Sequence, residues 1–177
     1  MDVVEYLRQT PPRSLGGLRP VLVSAGSDEA AWRLRCKCGS EHGTILGHPL
    51  GDLKPGFEGS GIMVSPFSFR CAGCGQTTDF LDTDIHGEGG EFKTREGAEI
   101  GCAAYRGEGE PSPAACPACR GQVVGGVIIV TYHDERVEDW ESDPAFPLAD
   151  FFNWFRLDCT CRGCGREWEL TTIDTKW

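Results

Sequence analysis

Cysteine spacing constrains this chain more than any other feature. Ten cysteines stand at positions 36, 38, 71, 74, 102, 116, 119, 159, 161 and 164. Eight of them form pairs: Cys36-Lys-Cys38, Cys71-Ala-Gly-Cys74, Cys116-Pro-Ala-Cys119 and Cys161-Arg-Gly-Cys164. Glycine follows directly at Gly39, Gly75 and Gly165, and one residue later at Gly121. A short Cys turn curls the backbone so that both sulfurs face one point, and the next residue then needs a positive φ, which glycine tolerates. Such turns are knuckles, and two knuckles bring four sulfurs together.

Four thiolates in a tetrahedron suit zinc, and a site filled by four protein ligands is closed and structural. The four pairs therefore predict two Zn2+ sites, each with four cysteine ligands. In chain order these are Cys36, Cys38, Cys71 and Cys74, then Cys116, Cys119, Cys161 and Cys164. The loops between the knuckles of each half are long for a compact zinc unit, so pairing across the halves stays open. Four thiolates suit iron as well. No export signal opens the chain: Asp2 and Glu5 interrupt the first residues. Thiols at short spacing in a reducing compartment are metal ligands more often than disulfides, so the cytoplasm is the expected location. A redox role for any CxxC pair would need a βαβ context that the sequence lacks.

The two halves resemble each other. Phe67-Ser-Phe-Arg-Cys-Ala-Gly-Cys-Gly continues into Gln76-Thr-Thr-Asp-Phe-Leu, and Phe155-Arg-Leu-Asp-Cys-Thr-Cys-Arg-Gly-Cys-Gly into Arg166-Glu-Trp-Glu-Leu. Both read as strand, knuckle, strand, acidic end, a weak internal repeat. Alternation supports strands around the knuckles: Trp32 and Leu34 against Arg33 and Arg35, Phe67 and Phe69 against Ser68 and Arg70. The run Val127-Ile-Ile-Val is apolar and β-branched, as a central strand should be. In Trp154 to Cys159, Cys159 shares the Phe155 and Leu157 face. It is read as a spare buried thiol, with Cys161 and Cys164 as ligands. The competing reading makes Cys159 and Cys161 a CxC pair like Cys36 and Cys38. Cys102 has no cysteine neighbour and is read as a bystander.

With 24 glycines and 11 prolines, long helices are disfavoured. One short helix is predicted at the N-terminus, capped by Asp2, carrying Val3, Val4 and Leu7 on one face and ended by Pro11 and Pro12. The expected fold is mainly β: two small zinc-stabilised antiparallel units in tandem, with one N-terminal helix. The divisions are 1–25 for the helix and lead-in, 26–86 for the first unit, 87–115 for a glycine-rich connector and 116–177 for the second unit. Structural zinc contributes an apparent ~10–16 kcal/mol to zinc-finger peptides, so metal should dominate the stability of units this small. The tryptophans and phenylalanines could also join the halves into one sandwich-like body.

The knuckle pattern resembles the zinc ribbon superfamily over about 32–84 and 116–174. The resemblance implies a metal-stabilised β-hairpin and no particular function. The second half is also similar to Mss4-like folds, in which two CxxC knuckles some forty residues apart close one zinc. Methionine sulfoxide reductases belong to that group, but their catalytic arginine–cysteine–asparagine context does not surround Cys102 or Cys159.

Seventeen basic and 27 acidic residues leave a net charge of −10. Eight thiolates and two Zn2+ add −8 and +4, taking the loaded chain to −14. Bulk charge therefore disfavours nucleic acid and suits a basic protein partner. The acidic stretch 134–147 reads as a solvated excursion or a docking surface for such a partner. No apolar run is long enough for a membrane span. The leading expectation is a non-enzymatic zinc protein acting through protein contacts, as an adaptor or acidic neutraliser. A nucleic-acid-binding ribbon is the alternative, resting on Arg33, Arg35, Lys37, Arg120, Arg162 and Arg166 around the knuckles. A metal-dependent enzyme is a second alternative. It would use Asp82, Asp84 and His86 on one face of a strand, with Glu88 and Glu91 nearby. His42, four residues past Cys38, could replace a cysteine ligand.

Overall fold

The computed structural model describes residues 1–96 and 106–175. The chain is mainly antiparallel β. Helix α1 (Val3–Gln9) comes first, and Asp2 caps it by accepting the Glu5 N–H at 2.8 Å. Leu7 is fully buried, and Val3 and Tyr6 pack beside it on the core. Strands β1 (Val21–Ala25) and β2 (Glu29–Arg33) then form a hairpin. Strands β3 (Gly43–Pro49), β4 (Met63–Cys71) and β5 (Thr77–Leu81) make an antiparallel meander. Helix α2 (Gly87–Glu96) and the two-residue β6 (Ser112–Pro113) follow. Next come β7 (Val124–Thr131), helix α3 (Asp134–Ser142), β8 (Trp154–Cys161) and β9 (Glu167–Asp174).

The sequence repeat is a structural repeat. In the first half, Gly43 of β3 pairs with Cys71 of β4; in the second, Val124 of β7 pairs with Cys161 of β8. Each last knuckle is held by the same bonds. Ala72 donates to the His42 carbonyl at 3.0 Å and Arg162 to the Val123 carbonyl at 3.0 Å. The register between β4 and β5 shifts at Phe67/Ser68, and that between β8 and β9 at Leu157/Asp158. Counting from Cys71 and Cys161, these are the same bulge. The extra residues, Phe80 and Leu170, are both buried. A bulge re-aims a strand, and here it turns both outer strands onto the core.

The halves meet at equivalent points. Gly43 of β3 pairs antiparallel with Val124 of β7, so the repeat carries a local pseudo-twofold axis at this bridge. Beyond it, β2 takes over the same edge of β7, from Val127 to Thr131. The other edge of β7 is covered by β8 along its whole length. The apolar Val127–Val130 run thus lies in a strand with neighbours on both sides. One hydrophobic core spans the two halves, from Leu7 and Leu34 through Phe67 and Phe80 to Phe155 and Ile173. The Phe67 ring stacks on both Phe80 and Phe155, with centroids 6.0 and 6.4 Å away. Such pairs add about 0.5–1.5 kcal/mol beyond their buried area.

Two regions read as loops are partly helical. The segment 87–115 begins with α2, and the acidic stretch 134–147 begins with α3. Tertiary contacts explain both. On α3, Trp140 is buried against Tyr6, their rings 4.9 Å apart, while the acidic side chains face solvent. Near α2, Arg13 from the N-terminal segment pairs with buried Glu91 and Asp150, and Arg136 of α3 pairs with buried Glu88 at 3.0 Å. These long-range ion pairs fix helices that local propensity does not specify.

Gly43 has no room for a side chain. An added Cβ would lie 2.5 Å from the Arg70 carbonyl oxygen and 2.6 Å from the Phe69 ring. Gly125, one residue past the equivalent position, would place a Cβ no nearer than 3.7 Å to the Glu41 carbonyl. Gly43→Ala is therefore expected to cost about 2 kcal/mol or more, since backbone cannot yield as a side chain can. Gly125→Ala should stay within about 0.5 kcal/mol of the parent. Urea denaturation of the two metal-loaded variants measures the contrast.

Candidate metal centres

Each cluster is built by one knuckle that enters a β-meander and one that turns between its last two strands. Cys36 and Cys38 precede β3, and Cys71 and Cys74 join β4 to β5. Cys116 and Cys119 precede β7, and Cys161 and Cys164 join β8 to β9. The structure brings Cys36, Cys38, Cys71 and Cys74 together, and separately Cys116, Cys119, Cys161 and Cys164. Within each foursome the sulfurs lie within 4.8 Å of one another. The pairing runs within the halves, not across them.

The geometry fits a tetrahedral ion. Sγ–Sγ distances are 3.6 Å for Cys36–Cys74 and 3.5 Å for Cys38–Cys71. They are 3.6 Å for Cys116–Cys164 and 3.5 Å for Cys119–Cys161. A tetrahedron with Zn–S bonds of about 2.3 Å has edges of about 3.8 Å. A disulfide would need about 2.05 Å, so these are free thiols in ligand-like array. In both sites the first cysteine of each knuckle is buried and the second exposed.

Backbone donors favour thiolate at Cys71 and Cys116, whereas at Cys36 and Cys119 the backbone bonds are outweighed by burial and the neighbouring thiols, which push both up to about 12. Burial pushes the Cys71 thiol up, but the N–H groups of Cys74 and Gly73, with the Cys38 and Cys36 thiols, bring it down to about 6. Cys116 is likewise raised by burial and brought down to about 7 by the N–H groups of Cys119 and Ala118 and by neighbouring thiols. Gly73 donates to Cys71 Sγ at 3.3 Å. Small residues make room for the sulfurs: a Cβ on Gly121 would lie 3.3 Å from Cys119 Sγ and 3.4 Å from Cys161 Sγ.

The expected positive φ after each knuckle occurs at Gly39, Gly75 and Gly165, but in the third knuckle it falls on Arg120, with φ 61°, not on Gly121. The hydrogen bonds show why. Gly39 donates to the Cys36 carbonyl and Arg120 to the Cys116 carbonyl, both at 2.9 Å. Gly39 and Arg120 thus close their knuckles at the same place, and the CxxC turn is simply one residue longer than CxC. Gly121 is small because of the sulfurs.

Cys159 stands outside both clusters. It is buried opposite Trp168 in the β8–β9 ladder, and burial, aided by Asp158, pushes its thiol up to about 12. It is a neutral core thiol, and the CTCRGCG stretch divides into one core residue and two cluster residues. Cys102 lies outside the described residues. His42 is exposed and belongs to neither foursome.

Asp82, Asp84 and His86 do not share a strand face. Strand β5 ends at Leu81, and the chain turns there, with Ile85 and His86 both donating to the Asp82 carbonyl. Asp82 is held by a bidentate pair from Arg106, both bonds 2.9 Å, which keeps its carboxyl below the ordinary range. Asp84 lies 3.3 Å from Arg106 and 3.7 Å from Lys93. His86 Nδ1 accepts the Asp82 N–H at 2.9 Å. Sequence reasoning missed the cations because Arg106 is far away in the chain.

No protein-family model, curated protein or solved structure matches the chain. The class therefore rests on geometry: a mainly antiparallel β protein with two tetra-cysteine clusters that could hold metal ions, which fits a zinc-binding fold. No helix among the described residues is long and apolar enough to cross a membrane.

Two measurements test this local reading. The left-handed conformation costs a non-glycine residue roughly 1–2 kcal/mol, and glycine gives back about 0.5–1 kcal/mol through its freer unfolded chain. Arg120→Gly should therefore stabilise the protein by up to about 1 kcal/mol, read as a raised denaturation midpoint. His86 has a lowered pKa: burial and Arg13 outweigh Asp82, Glu91 and Asp150, which raise it. The unfolded chain then takes the proton first. Stability is complete above the ordinary imidazole value and falls as pH drops through it toward the folded value. His86→Asn keeps an acceptor for the Asp82 N–H but cannot titrate. Its loss of stability between about pH 7.5 and 5.5 should be smaller than the parent's.

Proposed function

We propose that this chain is a non-enzymatic cytoplasmic protein built on two structural zinc sites, Cys36/Cys38/Cys71/Cys74 and Cys116/Cys119/Cys161/Cys164, and that it acts by binding a basic protein. The observation that carries the reading is the pair of all-cysteine clusters. Four protein sulfurs fill a tetrahedral ion's coordination and leave no position for substrate. Zinc bound there would cross-link the ends of each meander, and its chemistry is that cross-link. The acidic charge supports the nature of the partner. On α3, Glu135, Glu138, Asp139 and Glu141 are exposed, and of these Arg136 engages Glu135 and Asp139.

One observation favours a second reading. Arg120, Arg162 and Arg166 are exposed around the second cluster and have no ion pair among the described residues. Around the first cluster Arg33 pairs with Glu41 at 3.4 Å and Arg35 donates to the Arg19 carbonyl, which leaves Lys37, of these three, exposed and without an ion pair among the described residues. An unneutralised cationic tip on an otherwise acidic protein could track a phosphate backbone.

Native mass spectrometry of protein recovered gently from its source cells tests both. The expected result is two zincs per chain and a stoichiometric basic protein. Cys164→Ala should hold one zinc and Cys159→Ala two. A parent chain with one zinc or none overturns the metal assignment. Recovery with RNA or DNA, dissociated by salt and weakened by Arg162→Glu, transfers the function to the second reading.

A further inference from the structure

A cavity of about 300 Å³ lies between the β3–β4 connection and the third knuckle. This is the lower end of the range for small-molecule sites. Its wall is a compact loop. The Leu50 N–H closes it by donating to the Ile62 carbonyl at 2.9 Å, and Leu53 and Lys54 both donate to the Leu50 carbonyl. The loop crosses itself closely: a Cβ on Gly51 would lie 2.8 Å from Glu58 Cα. Compact loops with closed ends frequently carry function. Buried Met63 and Ala114 line the cavity, with the half-buried Phe57 and Ile62 beside them.

Charges of both signs line this apolar space. The cationic residue is Arg120 and the acidic residues are Asp52 and Glu58, all three exposed at its rim. None of the three forms an ion pair among the described residues; Glu58 accepts only the Gly56 N–H, at 2.9 Å. Arg120 is also the one described non-glycine residue with positive φ, at a position the other half fills with Gly39. A strained residue kept where glycine would serve marks a side chain wanted for itself.

We propose that this cavity binds a small zwitterion with an apolar body, of which an apolar α-amino acid is the simplest. Its carboxylate pairs with Arg120, its ammonium with Asp52 and Glu58, and its side chain packs against Phe57, Ile62 and Met63. A purely anionic ligand would meet two carboxylates, and a purely cationic one would meet the guanidinium. The site is independent of the partner proposed above and leaves the metal clusters untouched.

The test titrates the metal-loaded full chain with L-leucine, L-phenylalanine and L-methionine and follows the amide NMR signals of Gly59, Gly61 and Ala114. Saturable shifts in the millimolar range or below are expected for at least one of the three. For that amino acid, its amide, which lacks the carboxylate, and its N-acetyl derivative, which lacks the ammonium, should each bind about tenfold more weakly. Arg120→Gly, which should not unfold the protein, is expected to weaken the amino acid about tenfold and erase its advantage over the amide. Glu58→Gln should weaken the amino acid while leaving its N-acetyl derivative unaffected. No saturable shift with any of the three amino acids overturns the proposal. So does an amide that binds as well as the acid, or an Arg120→Gly variant that binds like the parent.

Discussion

Each sulfur cluster closes the end of a meander where β3 and β4, or β7 and β8, would otherwise fray. The strands there are held by one cross-strand pair, Gly43–Cys71 or Val124–Cys161, and then by the knuckles. Four thiols at about 3.5 Å attract one another weakly, and four thiolates without a cation repel. An ion bound at the centre would turn that repulsion into a clasp at the end of each meander. The bulges that seat Phe80 and Leu170 in the core lie a few residues along the same strands.

The two clusters flank the pseudo-twofold bridge. Gly43 and Val124 each sit beside a cluster cysteine and also pair with each other. The space differs across the axis: Gly43 must be bare because Phe69 and the Arg70 carbonyl fill its side-chain position, while Val124 is itself a fully buried part of the core. The repeat is thus asymmetric where its two halves touch. The excursions also differ. The first half inserts a compact loop between β3 and β4; the second inserts α3 between β7 and β8. Unshared features therefore sit on a shared frame: the cavity beside Arg120 in one excursion, the acidic helix in the other.

Buried charge ties the N-terminal segment to this frame. Arg13, exposed itself, reaches Glu91 and Asp150, whose side chains are almost wholly buried. Buried carboxylates without partners would be costly, so the arginine is required once the carboxylates are enclosed. Asp82, half-buried rather than enclosed, is paired by Arg106. The acidic stretch beyond β5 thereby becomes a braced turn.

Cysteine spacing marked the four knuckles, and the tertiary structure decided that they pair within each half. Side-chain alternation marked the strands beside the knuckles; a knuckle and a pleated strand are both local objects written in a few consecutive residues. The repeat was legible for the same reason, as was Cys159 as a core thiol, since the period of two places it with Phe155 and Leu157. Helices α2 and α3 were not legible: glycine and acid dominate them, and distant groups such as Tyr6, Arg13 and Asp150 hold them. Nor could the sequence alone show that Asp82 meets Arg106, or that Arg120 bends left-handed beside a cavity. Only the tertiary structure decided the meeting of the halves at Gly43 and Val124. That contact joins residues far apart in the chain, and its energy exists only when both meanders are already formed.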